Sequence, residues 1–134
     1  MSLKSKEREM AMHAYNGVQE FRKKYSGDAE KLKEANDKFK SYAKSILSYI
    51  QLNGLVAAFA FVETKKGSNG STSSDAYNGL YNITKDWLIN ECGAQPQDVS
   101  YISNYFARLE SEQYRAVQQE IIKLYGWIRR YAES

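Results

Sequence analysis

Apolar residues recur at spacings of three and four along most of the chain, which is the pattern of amphipathic α-helices. Gly27 and Asp28 are a helix stop and an N-cap, so one helix should end and a second should begin there. The first helix is predicted over residues 4–25, with a stripe formed by Ala11, Ala14, Val18, Phe21 and Tyr25. These two helices are therefore predicted to form a hairpin.

The second helix has the most regular apolar pattern in the chain. It should end at Asn53 and Gly54, because both residue types tolerate positive φ. The crowded apolar segment 55–66 then predicts a third helix, buried at the centre of the fold. The stripe of the second helix consists of Leu32, Ala35, Phe39, Tyr42, Ala43, Ile46 and Ile50.

Residues 67–74 read GSNGSTSS, contain no apolar side chain and are predicted to form a flexible loop. Further helices are predicted over residues 75–91, over residues 97–109 and from Ser111 onward. A chain of 134 residues is long enough for one hydrophobic core but not for two. We therefore predict an all-α fold, a compact bundle of about five or six helices in a single domain spanning residues 1–134.

The net charge of +3 is unevenly distributed along the chain. Residues 1–66 contain 13 Lys and Arg against 8 Asp and Glu, whereas residues 67–134 contain 6 against 8, so the two halves carry +5 and −2. An excess of cations on one side is what a phosphate-binding surface needs, although a solvated helix face is the commoner cause.

Several classes of site are excluded by composition. With a lone cysteine, Cys92, and one histidine, the chain offers neither an internal disulfide nor a Cys/His zinc site, so we predict no metal and no cofactor. The longest apolar run, residues 54–62, is far shorter than the roughly 20 residues that span a bilayer. We expect a cytoplasmic protein with no membrane partner and no small-molecule substrate.

Arg8 and His13 form an R-x4-H pattern, the spacing found in helical, metal-independent ribonucleases of the HEPN class. Such a pair would act on the 2′-hydroxyl and the phosphate of RNA. So short a pattern also arises by chance, and the alternative is a structural histidine.

Lys33, Lys40 and Lys44 lie on one face of the second helix, away from its apolar stripe, and could contact a row of phosphates. The alternative is an ordinary solvated face, which Asp37 interrupts. Arg22, at the end of the first helix, either extends this basic surface or complements the helix dipole.

Two blocks carry a family resemblance: residues 42–61 read YAKSILSYIQLNGLVAAFAF, and residues 114–132 read YRAVQQEIIKLYGWIRRYA. In order and spacing they resemble the small helical subunit of the Cmr complex, a type III-B CRISPR RNA-silencing assembly. Family members often have proline before Ile50, where this chain has Ser48 and Tyr49. The matched positions are Ile50, Gln51, Asn53, Gly54, Leu55, Ala60 and Phe61, then Tyr114, Arg115, Glu120, Trp127, Arg129, Arg130, Tyr131 and Ala132.

The resemblance implies a non-catalytic subunit, copies of which stack in an inner filament with other Cmr subunits and hold target RNA against the guide. RNA in such a channel is recognised by its shape and backbone charge. The alternatives are a type III-A small subunit, the Arg8/His13 ribonuclease, and a bundle that binds only proteins. We expect RNA contacts from Lys33, Lys40, Lys44, Arg115, Arg129 and Arg130, and structural roles for Asn53, Gly54 and Trp127.

Overall fold

A computed structural model describes residues 3–67 and 71–134 of the chain. In these two segments the chain forms six α-helices and one turn of 3-10 helix at Pro96–Val99. The α-helices are α1 (Leu3–Lys23), α2 (Ala29–Asn53), α3 (Leu55–Lys65), α4 (Thr72–Glu91), α5 (Ile102–Ala107) and α6 (Ser111–Glu133). The predicted all-α bundle of about five or six helices is confirmed.

The helix at the centre of the bundle is α4. It packs against α1, α2 and α3, and its inward positions include the fully buried Leu80, Trp87 and Leu88. The sequence-based expectation that residues 55–66 form a central and mostly buried helix is wrong, because only four of the eleven residues of α3 are buried and Ala60 is exposed. Small apolar residues such as alanine carry little surface, so they are tolerated in contact with water.

Helix α4 begins at Thr72, three residues earlier than the sequence pattern predicts. Ser71 is its N-cap and accepts a hydrogen bond from the Ser74 amide at 3.1 Å, while the Thr72 hydroxyl donates to Glu34 at 2.9 Å. Serine and threonine occur both in flexible linkers and at helix N-termini. The composition of this segment alone therefore did not show that a helix begins there. Residues 68–70 lie outside the described part of the chain. The flexibility of the loop and the organisation of the chain as a single domain stay predictions.

The predicted helix over residues 97–109 is divided into the 3-10 turn and α5. At the start of α5 the amide of Ile102 donates to the Tyr81 hydroxyl at 2.9 Å, and the amide of Ser103 donates to the Glu63 carboxylate at 3.0 Å. These two acceptors satisfy amides that a helix leaves without partners at its N-terminus. The chain can therefore restart the helix at Ile102 against α3 and α4.

Helices α2 and α3 meet at Gly54, whose φ of 88° lies in the left-handed region that favours glycine. The amide of Leu55, at the start of α3, donates a hydrogen bond of 2.8 Å to the hydroxyl of Tyr114 on α6. A Cβ atom on Gly54 would lie 2.9 Å from that hydroxyl. The break between α2 and α3 is thus fixed both by its own backbone and by α6.

Replacing Tyr114 by phenylalanine should lower the free energy of unfolding by about 1–2 kcal/mol, because it leaves the Leu55 amide without an acceptor. Urea unfolding followed by circular dichroism measures the change. Tyr101→Phe is the matched control, because its ring is 64% exposed and its hydroxyl has no partner in residues 3–67 or 71–134. Equal effects of the two substitutions would contradict the capping role of Tyr114.

Candidate functional site

Helices α2 and α6 lie side by side and antiparallel. Near the start of α2, the Asn36 side chain donates to the carbonyl of Ala132 at 3.1 Å, while Tyr114 lies beside Gly54 at the other end of α2. The two anchor points are the same 18 residues apart on each helix, from 36 to 54 and from 114 to 132, or about 27 Å. Any two residues whose numbers add up to 168 therefore lie at the same level of this seam.

Cations border the seam from both helices. Lys40 and Lys44 follow Asn36 at intervals of four residues, so they lie on the flank of α2 that faces α6. Arg129 follows Gln118 by eleven residues, or three turns, and the oxygen of Gln118 lies 3.9 Å from the Cβ position of Gly54. Arg129 is therefore on the flank of α6 that faces α2, almost level with Lys40. We call this surface, bordered by Lys40, Lys44 and Arg129, the α2–α6 cleft.

The other predicted RNA contacts lie farther from the α2–α6 cleft. Lys33 is beyond the level at which α6 ends, and its ammonium group pairs with Asp37 at 3.5 Å. Arg115 is exposed at the opposite end of the seam, level with Asn53. Arg130 is one residue, or about 100°, from Arg129 around α6, so it points away from α2. The structure thus brings together three of the six predicted contacts.

The cations of the cleft are not held in close ion pairs, although Asp37 precedes Lys40 by three residues and Glu133 follows Arg129 by four. Among the residues that the structure describes, the ion pairs within 4.0 Å involve Lys6, Lys23 and Lys33. Lys40, Lys44 and Arg129 consequently have no carboxylate partner in that part of the chain. Like charges brought to the same level repel one another, and this repulsion is relieved when an anion binds between them.

Trp127, which the sequence analysis treats as structural, is half-buried in an aromatic group on the side of α6 that faces α1. Its ring stacks on Tyr131 with centroids 6.1 Å apart, and Tyr131 meets Tyr15 of α1 edge to face at 5.4 Å. The guanidinium of Arg130 lies over Trp127 at 4.8 Å from the ring centroid. Arg130 is therefore held against an aromatic ring, with its N–H groups directed to solvent or a partner.

Arg22 has a different role from the one expected of a basic surface residue. Its Nη2 atom donates to the carbonyls of Tyr131 at 3.2 Å, Ala132 at 3.1 Å and Ser134 at 3.3 Å, and its Nε atom donates to Asn36 at 3.0 Å. These carbonyls are the ones that a helix leaves unpaired at its C-terminus. Arg22 thus ties α1, α2 and α6 together, and it does not extend the basic surface.

Arg8 and His13 do not converge on a ribonuclease site. They are five residues apart, which puts them about 140° apart around α1. The Nε2 atom of His13 is 2.8 Å from the carbonyl of Ile83, and its ring meets the buried Trp87 edge to face at 5.3 Å. Arg8 is exposed. His13 packs against α4, as a structural histidine does.

Cys92 is not an activated nucleophile. Burial and the neighbouring carboxylate of Glu120 raise the pKa of its thiol to about 12, so it stays protonated at neutral pH. Within residues 3–67 and 71–134 no group of three His, Cys, Asp or Glu side chains could hold a metal ion. None of the helices described is long and apolar enough to cross a membrane.

Lys123, on the solvent face of α6, is a cation that the sequence-based prediction missed, although Arg115, Arg129 and Arg130 of the same helix were predicted RNA contacts. Helix α6 contains these four cations and three carboxylates, of which Glu120 pairs with Lys6 at 3.0 Å. The signal that could have found Lys123 is its spacing of seven residues from Arg130, about two turns, which puts the two cations on one face of the helix.

Comparison with known proteins gives one family. A family model described as CRISPR-associated protein (Cas_Cmr5) matches residues 6–134, which is nearly the whole chain. No curated protein matches the chain. The match includes α2 and α6, and with them both sides of the α2–α6 cleft.

Replacing Arg22 by glutamine should lower the free energy of unfolding by about 2 kcal/mol, because three carbonyls at the end of α6 lose a charged donor. Lys23→Gln is the matched control, since that side chain is 75% exposed and, within the described part of the chain, forms an ion pair only with Glu20. Urea unfolding measures both changes, and we expect the control to stay within about 0.5 kcal/mol of the parent chain. If Arg22→Gln lowers the free energy of unfolding no more than the control does, Arg22 does not hold the end of α6 in place.

Proposed function

The chain belongs to the Cas_Cmr5 family of CRISPR-associated proteins, the small subunits of Cmr (type III-B) complexes, and on this premise we propose that it helps hold target RNA through the α2–α6 cleft. Membership implies association with other Cmr subunits. The family match favours the Cmr assignment over a type III-A subunit. The proposed role is non-catalytic, takes place in the cytoplasm and includes stacking of several copies in an inner filament of the complex.

One observation carries this proposal: Lys40, Lys44 and Arg129 border one cleft and lack carboxylate partners in the described residues. Surface cations in a folded domain are commonly interspersed with carboxylates. Here the three cations form no ion pair within 4.0 Å among the described residues, so they are available to a polyanion, and each phosphate that binds releases counterions from the RNA. RNA is the polyanion that a Cmr assembly handles, so the cleft supplies the chemistry that the proposal needs.

The geometry of the cleft fits contacts to a nucleic-acid backbone better than contacts to base edges. Lys40 and Lys44 are one turn apart, or about 6 Å along α2, and the guanidinium of Arg129 approaches from the other side. Lysine offers a flexible point charge, and arginine offers a fork of N–H donors that matches a phosphate. Such contacts hold RNA of any sequence, as a guide-directed complex requires.

A non-catalytic role is supported by the environment of the candidate catalytic groups. The Nε2 atom of His13 is occupied by a backbone carbonyl, and the thiol of Cys92 has a pKa of about 12. The protonated thiol is not available as a nucleophile near neutral pH, and the ring of His13 packs against α4 and does not converge with Arg8 on one site.

The double substitution Lys40→Gln and Arg129→Gln should weaken target-RNA binding by a reconstituted Cmr complex and make it less sensitive to salt. Each lost phosphate contact should reduce the slope of log affinity against log salt by about 0.7–0.9, or about 1.5 for the pair. Filter binding over a salt series measures both quantities.

Lys24→Gln together with Lys31→Gln is the matched control for this experiment. It removes the same charge from two exposed lysines that lie away from α6, so the slope should stay that of the parent complex. If the cleft variant assembles normally and its slope equals that of the control, RNA does not bind in the cleft. The chain would then be a bundle that binds only proteins.

A further inference from the structure

Gly126 lies inside α6, where glycine destabilises a helix relative to alanine. A Cβ atom at this position would have nothing within 4 Å, apart from the neighbouring residues and backbone of its own helix. The free chain therefore has room for a side chain at Gly126. Its conformation is helical and its φ is not positive, so the backbone does not require glycine either.

The other described glycines in or beside the helices have a structural reason. A Cβ atom on Gly17 would clash with the side chain of Ile83, and one on Gly79 would lie 3.0 Å from Phe21. Three others, Gly27, Gly54 and Gly93, have positive φ, and Gly67 lies in the loop that follows α3. Helix interiors usually avoid glycine, and neither packing nor a positive φ explains the glycine at position 126. Such exceptions tend to mark functional sites.

The surroundings of Gly126 are basic. Its neighbours on the helix surface are the residues three and four positions away, namely Ile122, Lys123, Arg129 and Arg130. Three of these four are cations, and none has a carboxylate within 4.0 Å in the described part of the chain. An apolar protein surface would gain little from such a setting, whereas a polyanion gains from every one of the three charges.

We propose that Gly126 is the point at which the sugar–phosphate backbone of the target RNA comes into direct contact with the backbone of α6. Without a Cβ atom the helix surface is lower here, so the strand can approach while Lys123 and Arg129 reach its phosphates from opposite sides. Arg130, held over Trp127, borders the same surface on the side toward α1. This inference rests on the proposed function. It identifies the surface at Gly126 as the place where the target RNA strand continues beyond the cleft.

The test uses Gly126→Ala and Gly126→Gln in the full chain, alone and in a reconstituted Cmr complex with guide and target RNA. Alanine should raise the melting temperature of the chain by about 3 °C, because it improves helix propensity in open space. The same substitution should weaken target-RNA binding about threefold, and glutamine about tenfold or more, because each added atom holds the strand away. The slope against salt should not change, since no charge is removed.

Asn82→Ala and Asn82→Gln are the matched controls, because Asn82 is an exposed residue inside α4, which does not border the α2–α6 cleft. They should leave RNA affinity unchanged. Unchanged affinity in both Gly126 variants would overturn the proposal. It would also be overturned if Gly126→Gln dropped out of the complex, which would assign the surface to a neighbouring subunit.

The two proposals can fail separately. If the Lys40 and Arg129 variant loses its salt slope but the Gly126 variants bind normally, the cleft holds RNA and only the contact at Gly126 is refuted. If the slope of the cleft variant is unchanged, the proposed function itself fails, whatever the Gly126 variants do.

Discussion

The antiparallel seam between α2 and α6 is the constraint on which the rest of the structure depends. Both of its ends are fixed by hydrogen bonds to groups that helix termini leave unpaired. At one end Arg22 and Asn36 donate to the last carbonyls of α6, and at the other end Tyr114 accepts from the first amide of α3. Because these anchors set the level of one helix against the other, they also decide which surface residues become neighbours.

The basic cleft follows from that register. Lys40 and Arg129 are 89 residues apart in sequence and become neighbours across the seam only because Asn36 is level with Ala132. A shift of α6 by two residues would turn Arg129 by about 200° around its helix and away from α2. Residues that contribute no charge to the cleft, such as Asn36 and Tyr114, are therefore needed to assemble it. The charges that it collects repel one another, and a bound polyanion would offset that repulsion.

The fold class could be read from the sequence because α2 and α6 have long, regular apolar stripes. The central position of α4 could not be read from the sequence. The buried side of α4 includes the polar Thr84 and packs closely at Gly79, so the average hydropathy of α4 is lower than that of α3. Burial depends on which elements surround a helix, and a periodic pattern does not contain that information. Likewise, the sequence predicted that Lys40 and Arg129 lie off the apolar stripes of their helices but not that they are level with each other. It also could not assign Arg22 to the carbonyls of α6.

The most direct test of the central claim is to map where target RNA touches this chain in an assembled complex. Target RNA that carries photoreactive uridines would be crosslinked, and the modified peptides identified by mass spectrometry. The α2–α6 cleft predicts crosslinks within residues 40–44 and 123–130. Crosslinks confined to the outer face of α4, around Asn82 and Asp86, or their absence from this chain while RNA is bound, would contradict it.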